Sequence, residues 1–175
     1  MRTTVYIGTS LDGFIAEKNR TIDWLTEFES AEIGDSYKEF IRTIDAIVIG
    51  RRTFETVIAF PSWPYTTKVF LLSKTIKQVP DALREKVTLL SMEPKEILRY
   101  LSSQGYSHIY VDGGNVIQGF LREDCIDELI ITRVPLMLGS GVPLFGVLDR
   151  ELRFQHITTT AYSNGLVKSR YERIR

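Results

Sequence analysis

Ala46-Ile47-Val48-Ile49 is an unbroken apolar run held between Asp45 and Gly50. A strand with one wet face alternates apolar and polar side chains, whereas a strand covered on both faces does not. The run therefore demands a sheet with helices above and below it. Val69-Phe70-Leu71-Leu72 repeats the pattern, and Ile109-Tyr110-Val111 repeats it again. Val5-Tyr6-Ile7-Gly8, Val87-Thr88-Leu89-Leu90 and Glu128 to Val134 supply further strands.

Helical stripes alternate with these runs. Tyr37, Phe40, Ile41 and Ile44 share one face of a helix expected over 36–44, with Ser36 and Glu39 at capping-box spacing. A short helix is expected from Arg52 to Ala59. Another runs from Glu93 to Ser103, with Pro94 near its first position and Gly105 beyond its end. Val116, Ile117, Phe120 and Leu121 give a further helix its buried stripe. "SLDGFIAEKNRTIDW" reads as a loop that touches the core through Phe14 and Ile15, and "PLMLGSGVPLFG" as a glycine- and proline-punctuated loop. In "FPSWPY", Pro61 and Pro64 exclude both helix and central strand. The tail reads as two long strands joined at Asn164-Gly165. The expected fold class is α/β: a mostly parallel sheet flanked by helices, closed by a C-terminal antiparallel hairpin. A length of 175 residues favours a single domain over residues 1–175.

Lys plus Arg equals Asp plus Glu at 22 each, so the overall charge offers nothing to nucleic acid or to an anionic membrane. Cys125 is the only cysteine, which excludes an intrachain disulfide and a cysteine-based zinc site and suits a reducing compartment. "MRTTVYIGTS" has no signal-peptide core, and no apolar run approaches a membrane span. A cytoplasmic location is the expectation.

Two strand-to-helix junctions carry unusual residues, Gly50-Arg51-Arg52-Thr53 and Asp112-Gly113-Gly114-Asn115. A helix start has N–H groups without partners and carries partial positive charge. Arginines added there ask for an anion, and glycines let a ligand approach the backbone. Each junction alone reads equally well as a tight turn or a decorated surface. Side by side, they could hold the two phosphates of a dinucleotide. Ser73, Lys74 and Thr75, at the end of another strand, could add phosphate contacts. Neither standard glycine-rich nucleotide fingerprint is present. Of the two histidines, His108 lies in an expected strand and His156 in the hairpin, and both read as structural. No metal cluster is expected. So few catalytic side chains suit chemistry carried by a cofactor.

"GRRTFE" resembles the G-R-x-T-[FW]-E segment of dihydrofolate reductase, and "VDGGNVIQGFL" resembles the glycine-pair segment later in that fold. "TSLDGFIA" and "VPLMLGSGVPLF" are closer to the riboflavin-biosynthesis reductase domain, the RibD C-terminal domain family. The resemblance implies a dihydrofolate-reductase-like fold and reduction by NADPH of a small heterocyclic, pyrimidine- or pterin-like substrate. A reductase similar to that for 5-amino-6-(5-phosphoribosylamino)uracil fits the pattern; a non-catalytic nucleotide-binding protein of the same fold is the alternative. It implies cofactor contacts at Gly50, Arg51, Arg52, Thr53, Ser73, Lys74, Gly113, Gly114, Asn115 and Val116, with Ile15 and Ala16 at the nicotinamide. Ser10, Gly13 and Trp24 would border the substrate, Trp63 and Tyr65 could wall the pocket, and Asp12 would orient substrate or relay a proton. Dihydrofolate reductase keeps a carboxylate on its first helix; Asp35 is the nearest residue here and aligns only with a gap, so folate is not the expected substrate. The zinc deaminase half of the bifunctional riboflavin enzyme needs a P-C-x-x-C motif, which one cysteine rules out. Relatives of the riboflavin type imply a homodimer.

Overall fold

The computed structural model describes all 175 residues. Its order is β1 (Arg2–Thr9), β2 (Phe14–Ala16), α1 (Asp23–Thr26), α2 (Ala31–Arg42), β3 (Ala46–Gly50), α3 (Arg51–Ile58), β4 (Lys68–Leu72), β5 (Val87–Leu90), α4 (Pro94–Ser103), β6 (His108–Asp112), α5 (Gly114–Arg122), β7 (Glu128–Arg133), β8 (Val142–Pro143), β9 (Arg153–Ala161) and β10 (Val167–Ile174). Eight strands form one sheet in the order β5-β4-β3-β6-β1-β7-β10-β9, while β2 and β8 pair separately. The pairings from β5 across to β7 are parallel. Within this sheet the two pairings of β10, with β7 and with β9, are antiparallel. The fold is that of a dihydrofolate-reductase-like α/β protein.

The apolar run Ala46 to Ile49 divides between two cores. Ile47 and Ile49 pack on one face with Phe40, Phe54 and Val57 from α2 and α3. Ala46 and Val48 pack on the other with Ile97, Leu101, Ile117 and Phe120 from α4 and α5. Successive strand side chains point to opposite faces, so every position must be apolar when both faces are covered. Tyr110 and its neighbours Ile109 and Val111 divide the same way.

Three local expectations are corrected. Helix α2 starts at Ala31, not Ser36: extended Ser30 is its N-cap and accepts from the Ile33 N–H at 3.4 Å. Ser36 lies inside the helix, its hydroxyl within hydrogen-bond reach of the Tyr6 hydroxyl (3.1 Å) and of Lys168 Nζ (2.5 Å). Gly34 in the second turn hid this start, because glycine disfavours helix interiors. The loop after β1 contains a strand, β2, whose partner β8 comes from the late glycine-rich loop. Last, the hairpin turn is wider than an Asn-Gly pair. Ala161 pairs with Val167, leaving residues 162–166 as the connection, and Asn164 reaches out to donate to the Phe28 carbonyl at 2.8 Å.

Candidate functional site

Strands β4, β3 and β6 are neighbours, and their carboxyl ends open into one cleft of about 1010 Å³. The chain goes outward from β3 to β4 and β5, then returns to place β6 on the other side of β3. Ligands in open α/β sheets bind at such a reversal of strand order.

The two junctions meet there. Gly113 has φ +93°, and a Cβ on it would stand 2.6 Å from Thr53 Oγ1 and 3.7 Å from the Gly50 nitrogen. A Cβ on Gly50 would stand 2.9 Å from the Val116 side chain. Glycine is thus required on both sides for the two turns to touch. Gly50 and Gly113 are the N-caps of α3 and α5, and neither helix start has a side-chain cap. The first-turn residues of both helices line the cleft, with Thr53 among them.

Gly50, Arg51, Arg52 and Thr53 all line the cleft. So do Gly113, Gly114, Asn115 and Val116, together with Ser73 and Lys74 at the end of β4 and Ile15 and Ala16 from β2. Arg51 pairs with Glu55 at 2.9 Å and Lys74 with Glu93 at 3.3 Å, in both cases at the surface. Exposed pairs of this kind are weak, so an incoming phosphate can replace the carboxylate. Ser73 Oγ accepts from the Ile76 N–H at 2.9 Å and the Thr75 N–H at 3.2 Å, which shapes the turn after β4.

The proposed substrate group is not brought to the cleft. The Ser10 hydroxyl, fully buried, donates to Asp12 Oδ1 at 2.5 Å and accepts from the Phe14 N–H at 3.0 Å. Asp12 also accepts from the N–H groups of Leu138 (3.1 Å) and Gly139 (2.7 Å). It therefore clasps the loop after β1 to the late glycine-rich loop. The Ser10 hydroxyl, followed by these backbone donors, holds its pKa below the usual carboxylate range. Three of its acceptor sites are thus taken within the protein, and it has no proton to give near neutrality. Gly13 supplies the φ of +85° that this turn needs, and its carbonyl accepts from Leu144 N–H at 3.0 Å. Trp24 is buried in a small cluster with Val134 and Leu166. Its neighbours Ile22 and Leu25 reach the cleft instead. Trp63 packs edge-on behind Tyr65, and it is Tyr65 that lines the cavity. Asp35 is at the surface, paired with Lys38 at 2.9 Å.

Glu29, Glu93 and Asp112 are the carboxylates that line the cleft, and Asp112 is the one at the meeting of the two junctions. Burial raises its pKa to about 6, against the opposing pull of the Gly113 N–H, which donates to it at 2.8 Å. Tyr110 and Asp112 are two residues apart on β6 and so share a face, the one covered by α2 and α3. That face also brings Tyr37 to the same cavity. The sequence carried the signal for Asp112, a carboxylate immediately before a glycine pair at a strand end. It is hidden by the ordinary use of aspartate in turns. His108 bridges Thr4 and the Thr43 carbonyl, each at 2.9 Å, and is structural.

With this geometry in place, comparison with known proteins is informative. The chain is 38% identical over 157 residues to the uncharacterized protein YwjB of Bacillus subtilis (strain 168), covering 88% of each. Its fold superposes with a TM-score of 0.95 on a Shewanella sp. PV-4 protein assigned by name to riboflavin biosynthesis, at 40% identity over the whole of both chains. Dihydrofolate reductase from Enterococcus faecalis, complexed with NADP(H), shares the fold at a TM-score of 0.66 and 18% identity, over 99% of this chain and 97% of that one. The family model of the RibD C-terminal domain matches residues 62–168. The chain belongs to the RibD C-terminal domain family.

Proposed function

We propose that the protein is an NADPH-dependent reductase that delivers hydride to a small heterocycle of the pyrimidine or pterin type, 5-amino-6-(5-phosphoribosylamino)uracil or a compound related to it. One observation carries the reading: two uncapped helix starts abut through Gly113 and Thr53, and open into a cavity that also holds a carboxyl able to carry a proton near neutrality. Family membership and the fold shared with an NADP(H)-bound reductase support it.

The residues present fit a dinucleotide. The first-turn N–H groups of α3 and α5, with Thr53, suit a pyrophosphate. Arg51, Arg52 and Lys74 are placed for a further phosphate, as NADPH carries and NADH does not. Ile15 and Ala16 offer an apolar wall to a flat ring. A bound reduced nicotinamide would supply the hydride. Asp112 supplies the proton: below pH about 6 it is a carboxylic acid, and above that it must regain its proton from water before each turnover. Titration of the protein with NADPH, followed by the fluorescence of the dinucleotide, tests the binding half. NADPH oxidation with the phosphoribosylaminouracil tests the catalytic half. Binding without oxidation across a panel of heterocycles would leave a nucleotide-binding protein.

We also propose a two-fold homodimer built on the outer edge of β9. The arginines of the tail do not charge that edge, because each is engaged by an acidic side chain on or just before β7. Arg170 binds Glu128, Arg173 pairs with Asp124 at 2.7 Å and Arg175 with Asp127 at 2.6 Å. They sit on or beyond β10, whereas β9 from Phe154 to Ala161 carries no Lys, Arg, Asp or Glu and leaves Ile157 exposed. Native proteins cover or charge such edges. Light scattering at micromolar concentration should give twice the chain mass; 20.1 kDa would overturn the dimer.

A further inference from the structure

Two cleft side chains have no role so far. Tyr37 comes from α2, and Tyr65 from the connection between α3 and β4; both line the cavity. The Tyr37 ring stands edge-on to Tyr6 at 5.5 Å and tilted against Phe40 at 6.4 Å. The Tyr65 ring stands edge-on to Trp63 at 5.4 Å, and Trp63 in turn is edge-on to Phe54 at 6.2 Å. These contacts fix both rings before any ligand arrives.

The hydroxyls are differently placed. Tyr110 donates its hydrogen to the Tyr6 carbonyl at 3.0 Å, and Tyr6 shares a hydrogen bond with Ser36 at 3.1 Å. No side chain or backbone group takes the Tyr37 or Tyr65 hydroxyl, and the chain's sealed, unpartnered side-chain polar atoms are the indole nitrogens of Trp24 and Trp63. Both phenols therefore open on the cleft. Burial first, and the Asp112 carboxylate second, push their ionisation far above neutrality. They line the cavity as neutral O–H donors, near enough to Asp112 for its charge to act on both.

We propose that Tyr37 and Tyr65 are substrate-selecting residues that grip an acceptor heteroatom, a carbonyl oxygen or an imine nitrogen, between their hydroxyls and Asp112. The proposal rests on the reductase reading. A bound reduced nicotinamide would supply hydride to the carbon of the C=O or C=N bond and be oxidised in doing so. The π pair moves onto the heteroatom, which takes the proton of the Asp112 carboxyl. Asp112 is left as a carboxylate and recovers a proton from water. The two phenols hold the charge that builds on the heteroatom, an interaction that is strong where water is excluded. Neutral phenol beside protonated carboxyl in an apolar site is an established way to polarise a carbonyl. A substrate offering only carbon at that position leaves the three donors without an acceptor.

A matched pair of probes tests this without knowledge of the natural substrate. 1-Tetralone carries a ring carbonyl, and tetralin has the same bicyclic frame without it. Calorimetry on the full chain at pH 5 should show the ketone binding roughly tenfold more tightly, the worth of one or two net hydrogen bonds. Tyr37→Phe and Tyr65→Phe should each narrow that ratio by roughly threefold and leave tetralin unchanged. No preference for the ketone, or a preference that both folded variants retain, overturns the proposal. Titration of the same samples with NADP+ separates the two readings. Normal NADP+ binding with no ketone preference sinks the tyrosines alone. A ketone preference without NADP+ binding sinks the reductase reading and leaves the donor pair standing.

Discussion

Asp12 and Asp112 occupy turns that look alike in sequence, Asp12-Gly13 and Asp112-Gly113, with both glycines at positive φ, +85° and +93°. Their surroundings oppose each other. Asp12 takes one hydroxyl and two backbone N–H groups from other residues, and its charged form is favoured. Asp112 takes the neighbouring Gly113 N–H, sits among phenols, and has its neutral form favoured by burial. A carboxylate that takes three donors from two loops fixes those loops. One held short of donors, in a cavity, is free to exchange a proton. Residue type and local motif do not separate these cases; the count of donors around each does.

The sharpest way to break the contrast is Asp112→Asn. An asparagine keeps the Gly113 contact through its carbonyl oxygen and loses the proton. Turnover should fall by roughly 10²–10⁴-fold, the usual share of a general acid, while NADPH binding holds. The wild-type rate should decline above pH about 6 as the acid form is lost. A variant with normal turnover would put the proton source elsewhere.

Next in size is Gly113→Val. The new side chain would collide with Thr53 Oγ1 from a backbone at φ +93°, forcing the two junctions apart. NADPH affinity should drop by roughly a hundredfold or more, on the scale of strained non-glycine backbone at a ligand site. Retained affinity would show that the glycines only make a turn. Gly114→Val is a poorer probe, because a Cβ there meets Ile15 at 2.9 Å and so disturbs the packing of β2 on α5.

Asp112 also leaves a mark on stability. Its folded pKa lies above its unfolded one, so the folded protein holds more protons between the two values. Stability therefore falls as pH rises through roughly 4 to 6, and above this window the buried charge costs about 2–3 kcal/mol. Asp112→Asn should melt higher than the wild type at pH 7 and close to it at pH 4. Equal differences at both pH values would mean that Asp112 is better solvated than its surroundings indicate.

The sheet and its two cores were legible because burial on both faces writes itself into consecutive residues, as at Ala46 to Ile49. The two junctions were legible for a related reason: a glycine beside arginines or beside a second glycine is costly unless the backbone must be approached. The clasp made by Asp12 was not legible, since its partners Leu138 and Gly139 lie more than a hundred residues away and donate through backbone that any sequence would supply. Trp24 was misread because a tryptophan beside a loop gives no sign of which side of that loop becomes core. Tyr37 showed its helix face correctly but not that the face ends at a cavity.

Asp12→Ala tests the other half of the comparison, with the smallest expected effect. It removes the two hydrogen bonds that fasten the loop after β1 to Leu138 and Gly139, and the one from Ser10 within that loop, and leaves the cleft residues in place. At pH 7 the amides of Leu138, Gly139 and Phe14 should exchange with solvent faster, while the strands of the main sheet exchange as before. The sign with pH is opposite to that of Asp112. The folded pKa of Asp12 is depressed, so its contribution is present above the ordinary carboxylate range and is lost as pH falls through the lowered value. The exchange difference between variant and wild type should therefore shrink on strong acidification. NADPH turnover should change far less than in Asp112→Asn, and only through looser placement of Ile15 and Ala16, which follow the same turn into β2. A loss of turnover matching that of Asp112→Asn, with NADPH binding and loop exchange unchanged, would return the proton to Asp12 and reverse the assignment of the two carboxylates.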